Sequence, residues 1–62
     1  MTAEQAETLV LERYPRATLI RIPAGWVVVE DAADCDHVSN PTKYTFAAWK
    51  SAAARLEAER GK

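Results

Sequence analysis

Two β-prone runs, Ala17-Thr-Leu-Ile-Arg-Ile22 and Trp26-Val-Val-Val-Glu-Asp31, are separated only by Pro23-Ala24-Gly25. Each is rich in Ile, Val, Leu or Trp, and a three-residue loop containing Gly is a common hairpin connection. The pair therefore predicts a β-hairpin. A two-stranded hairpin is at best marginal in water and must be covered by other elements. The rest of the chain has to supply them.

Before the hairpin, Thr2-Ala-Glu-Gln5 has the spacing of a capping box, and Glu4 and Glu7 fall where they complement a helix dipole. Leu9, Val10 and Tyr14 then form an apolar stripe at helical spacing, and Pro15 stops the helix at the residue before it. After the hairpin, Asp31 to Asn40 reads as an acidic connection closing on Ser39-Asn40-Pro41. A second helix is expected to begin at Asn40 with Pro41 at its first position, or later with Thr45 as N-cap. From there Phe46, Trp49, Ala53 and Leu56 recur at heptad spacing with Ala48 and Ala52 beside them, and Gly61 suits a C-terminal cap. Phe46 and Trp49 are expected in the core.

The predicted fold is α+β in the order α-β-β-α, with two helices packed on a two-stranded antiparallel hairpin, as one domain over residues 1–62. Both hairpin faces carry apolar residues, so alternation does not decide which is buried. A core of Ile20, Ile22, Val27 and Val29 is the expectation. Leu19, Arg21, Trp26 and Val28 would then form an open face, with Arg21 stacked on Trp26. Aromatic residues and Arg are enriched where proteins meet, so these four residues are the candidate protein-contact surface.

With 62 residues the chain buries only about 60% of its unfolded surface, so stability is at a premium. Its single cysteine, Cys35, excludes an intrachain disulfide, which makes a homodimer a reasonable expectation. No apolar run approaches the roughly 18 residues of a membrane span, and Met-Thr-Ala-Glu-Gln lacks the pattern of a secretory signal. These features favour the cytoplasm, with no membrane partner.

Chemistry-bearing residues gather in Asp31-Ala-Ala-Asp-Cys-Asp-His37. One Cys and one His do not supply the paired ligands of a structural zinc site. As a calcium loop the segment has Ser39 where the sharp-turn Gly belongs and Thr45 where the closing Glu belongs. A Cys35–His37 nucleophile–base pair would have Asp34 and Asp36 beside it, which disfavour a thiolate. A metal or redox role at Cys35 and His37 stays an alternative. No cofactor is expected, and the chain does not read as an enzyme.

Charge is unevenly placed around a net of −1: residues 25–40 carry Glu30, Asp31, Asp34 and Asp36 and no Lys or Arg. Residues 41–62 carry Lys43, Lys50, Arg55, Arg60 and Lys62 against Glu57 and Glu59. Weak nucleic-acid binding through Lys43, Lys50, Arg55 and Arg60, with Tyr14, Trp26 and Tyr44 to stack bases, is the runner-up reading, ahead of the metal or redox role. A pI of about 5.7 weighs against it, because phosphate binding calls for a basic surplus.

Gly25-Trp-Val-Val-Val29 followed by Thr45-Phe-Ala-Ala-Trp49-Lys-Ser-Ala-Ala-Ala-Arg-Leu56 resembles a pattern of small bacterial and prophage proteins of unknown function. In these a G-W-V-V strand precedes a T-x-x-A-W-x-x-A-A-x-x-L helix. Thr45, Ala48, Trp49, Ala52, Ala53 and Leu56 stand at the matching positions, and the acidic connection is longer here. The resemblance implies a bacterial or phage origin. The expected function is a small non-enzymatic protein-interaction module, an adaptor, inhibitor or regulator, with an unidentified protein partner.

Overall fold

The computed structural model describes residues 1–33 and 36–60, with the Arg60 side chain left aside. The expectations for Asp34, Cys35 and the Gly61 cap lie outside the described residues. The order is α1 (Ala3–Arg13), β1 (Thr18–Ile22), β2 (Gly25–Val29) and α2 (Thr45–Arg60), an α+β arrangement. The capping box is formed: Gln5 N–H donates to Thr2 Oγ1 at 3.1 Å, and Thr2 N–H donates to Gln5 Oε1 at 3.0 Å. At the other end of α1 the Tyr14 N–H closes on the Val10 carbonyl at 2.7 Å.

β1 and β2 pair antiparallel from Thr18↔Val29 to Ile22↔Gly25. Pro23 and Ala24 alone make the turn, and Gly25 is already the first residue of β2, so the expected three-residue loop is shorter by one. Gly25 has φ +135°, and a Cβ there would collide with the Thr42 carbonyl oxygen and sit 3.0 Å from its carbon. Backbone conformation and space both demand glycine.

α1 lies against α2, and α2 lies against β2. Ala6 of α1 and Ala48, Ala52 and Ala53 of α2 have no exposed surface; these small side chains let the backbones approach closely. Val10, Val28, Val38 and Leu56 complete the core, with Leu9, Tyr14, Ala17, Leu19, Trp26 and Trp49 packed against it. The stripe expected on α1 is thus the one that is covered.

The hairpin face turned to the helices is the opposite of the one expected. It is the face of Leu19, Trp26 and Val28. Val27 and Val29 are buried as expected, but on the other face, where Ile20 and Ile22 are half-buried. The reason is the segment after β2, which runs back along the strand's outer edge and leads into α2 on the Trp26–Val28 side. Two isolated bridges mark its path, Val29↔His37 and Trp26↔Thr42.

Between these bridges β2 contributes two residues, Val27 and Val28, while the returning segment contributes four, Val38 to Pro41. The excess is a bulge, and Ser39 fills it. The Val28 N–H donates to Ser39 Oγ at 2.8 Å, and Ser39 Oγ donates to the Asn40 carbonyl at 3.2 Å. Ser39 is the buried polar residue among those described, and its hydroxyl stands in for a backbone carbonyl. The Val28 carbonyl accepts from Val38 N–H at 2.7 Å, Trp26 N–H donates to the Thr42 carbonyl at 2.6 Å, and Thr42 N–H returns the bond at 2.8 Å. This pairing also explains why α2 does not start at Asn40: Thr42 is held in the sheet. The first α2 bond runs from Ala48 N–H to the Tyr44 carbonyl at 3.1 Å, so Tyr44 holds the cap position and Thr45 is the first helical residue.

Replacing Ser39 by Ala leaves the Val28 N–H buried without an acceptor, which costs about 1–3 kcal/mol. Gly25→Ala is expected to cost more than about 1 kcal/mol through its backbone strain and the collision with Thr42. Urea denaturation of both variants against the parent chain measures these losses.

Candidate contact surface

The four residues expected to form an open face do sit together, as the cross-strand pairs Leu19↔Val28 and Arg21↔Trp26. They do not form an open surface. Val28 has no exposed area, and Leu19 and Trp26 are half-buried against the core. Only Arg21 is exposed, and its guanidinium carbon lies 6.0 Å from the centroid of the Trp26 ring. The expected stacking is therefore present at the limit of its range.

The exposed aromatic surface lies next door, where the chain leaves the sheet for α2. Tyr44 and Phe46 are 57% and 51% exposed, and their rings stack at 5.3 Å with 14° between planes. Phe46 is thus a surface residue and not the core residue expected from heptad spacing. The buried stripe of α2 centres on Ala48, Ala52 and Leu56, with Trp49 and Ala53 beside it, and Phe46 lies about 120° away from that centre at 100° per residue. The base of the pair is fixed. Thr42 is bridged to Trp26, and its hydroxyl donates to the Tyr44 carbonyl at 2.8 Å. One end of the molecule therefore gathers Arg21, Trp26, Tyr44 and Phe46.

Its charge is one-sided. Residues 37–56 contain no Asp or Glu and include Lys43, Lys50 and Arg55. Lys43 precedes the aromatic pair, and Lys50 follows Phe46 by one helical turn. Lys50 and Arg55 are about 140° apart around α2, so the helix cations do not form a single stripe. Carboxylates Glu30, Asp31 and Asp36 sit at the other end of β2, about 13 Å from Trp26 along the strand. That exceeds the screening length of about 8 Å at physiological salt, so these three carboxylates are largely screened from the aromatic end. Among the described residues the ion pair is Arg16–Asp31 at 3.6 Å, with Arg16 largely exposed; such a pair contributes about 0–1 kcal/mol.

His37 is exposed and is bridged through its backbone to Val29. No three of His, Cys, Asp and Glu among the described residues are placed to hold a metal ion. A groove of about 460 Å³ between the helices, lined by Leu9, Glu12, Arg13, Leu56 and Glu59, lies away from the aromatic end. Among the described residues no helix is long and apolar enough to cross a membrane. Compared with protein-family models, curated proteins and solved structures, the chain matches none of them.

Because neither ring supports the core, Tyr44→Ala and Phe46→Ala should each leave stability within about 0.5 kcal/mol of the parent chain. Leu56→Ala, on the same helix but 5% exposed, should cost about 2–5 kcal/mol. Thermal and urea unfolding of the three variants distinguishes a surface pair from a packing pair.

Proposed function

We propose that this chain is a small non-enzymatic protein-interaction module, an adaptor, inhibitor or regulator of bacterial or prophage origin. Its contact surface is the end formed by Tyr44 and Phe46 with the exposed parts of Arg21 and Trp26. The observation that carries this reading is the stacked, half-exposed ring pair between β2 and α2. Large aromatic side chains in water are unfavourable to leave open, and Trp, Tyr and Arg dominate the energetics of protein contacts. Rings already stacked lose little freedom when a partner covers them.

A second reading shares the same surface. Lys43 and Lys50 flank the rings within a stretch, residues 37–56, that contains no Asp or Glu, and exposed rings beside cations also suit the bases and phosphates of a single-stranded nucleic acid. Arg55 on another flank and the described position of Arg60 at the end of α2 give no continuous basic track, which favours protein.

Affinity capture from nuclease-treated host lysate, with the parent chain and the Tyr44→Ala/Phe46→Ala double variant side by side, separates these readings. A specific protein retained by the parent chain and depleted about thirtyfold by the double variant is the expected result. An unchanged set of captured proteins contradicts the assigned surface. Low-salt binding of a labelled oligothymidine that is lost on Lys43→Ala/Lys50→Ala replacement favours nucleic acid instead.

A further inference from the structure

The two edges of the sheet are treated differently. Trp26 and Val28 direct their backbone groups to the returning segment, so Gly25, Val27 and Val29 direct theirs to β1. Their partners Ile22, Ile20 and Thr18 are then the hydrogen-bonded residues of β1. Leu19 and Arg21 must point their N–H and C=O groups outward, where no described residue meets them. Natural edges of this kind are usually blunted by Pro, Lys, a bulge or an inward-pointing charge. β1 holds no Lys, Pro or bulge within its length and one charge, Arg21, which lies over Trp26; its other face presents the half-buried Thr18, Ile20 and Ile22.

We infer that β1 pairs antiparallel with β1 of a second copy of this chain, about a two-fold axis through Ile20. The register follows from the backbone. Placing Leu19 opposite Arg21 of the other copy, and the reverse, satisfies all four outward groups of each strand. Ile20 then meets its own counterpart as a non-hydrogen-bonded pair, and Thr18 meets Ile22 on the same face. A shift of one pair toward the turn would set Arg21 against Arg21, and like charges directly opposite are destabilising. A shift the other way would oppose Arg21 to Ala17, whose N–H is already given to the Tyr14 carbonyl at 2.9 Å.

Closure argues for a second copy over another protein's strand. Pro15 and Pro23 bracket β1 and limit pairing to its own length. The far edge of β2 is covered by the returning segment, so the β1 pairing uses the open edge of each chain and leaves none to propagate. A two-fold, self-complementary contact of this kind ends at the dimer. It also covers the half-exposed isoleucines of a chain too short to bury much surface alone.

Sedimentation velocity across a concentration series, with cross-linking in a Cys35→Ser background, tests this. The parent chain should show a concentration-dependent dimer. Ile20→Cys should oxidise to a disulfide-linked dimer, because opposed non-hydrogen-bonded positions lie about 4.5 Å apart between Cα atoms, within disulfide range. Thr18→Cys, which faces Ile22 in this register, should link far more slowly. Ile20→Lys puts two cations on the axis and should weaken the dimer about tenfold or more while its circular dichroism stays that of the parent chain. A parent chain that is monomeric at millimolar concentration overturns the proposal, even if β1 captures another protein's strand. Equal cross-linking at positions 18 and 20, or an Ile20→Lys chain as dimeric as the parent, overturns it as well.

Discussion

Three consecutive valines with no exposed surface set the problem that this fold solves. Val27, Val28 and Val29 alternate between faces, so β2 is covered on both, and its backbone polar groups cannot be left to water. β1 satisfies one edge. The other is satisfied by a segment that is not a regular strand, and Ser39 makes that possible by lending a side-chain oxygen where the bulge carries the backbone away. The same segment brings Val38 into the core, pins Asn40 N–H to Ser51 Oγ of α2 at 3.2 Å, and releases the chain into the helix at Thr45. Gly25 belongs to this arrangement too, since the Thr42 carbonyl occupies the space a side chain would need.

The aromatic end is a consequence of that geometry. Thr42 stays in the sheet, so the first turn of α2 begins beside Trp26 and overhangs the core, which carries Tyr44 and Phe46 into solvent. The carboxylates of Glu30, Asp31 and Asp36 are left at the opposite end of β2. Charge and exposed aromatic surface are thereby sorted along one short strand. The surface follows from how the edge is closed, and the edge of β1 is left open by the same asymmetry.

Local signals in the sequence carry the elements well. The capping box at Thr2 and Gln5 and the proline after Tyr14 each act over a few residues, and each is where the pattern puts it. What periodicity could not show depends on contacts between distant residues. Both hairpin faces are apolar, so the buried one is chosen by where the returning segment delivers α2. Phe46 shares heptad spacing with Leu56, yet the buried stripe runs through Ala48 and Ala52, whose small side chains let α1 and α2 approach closely. Ser39-Asn40-Pro41 has the composition of a loop, and nothing in it announces a hydroxyl that completes a sheet. Of the contact residues named from sequence, Arg21 and part of Trp26 remain at the surface, while Val28 and Leu19 serve the core.

The most direct measurement is amide hydrogen exchange at Trp26 and Val28, whose N–H groups face away from β1. If the returning segment closes that edge, both amides should exchange only through global unfolding, as slowly as those of Val27 and Val29. Exchange at Val28 close to the rate of an open loop would contradict the account, because the edge would then be exposed to water and Ser39 would not be holding it.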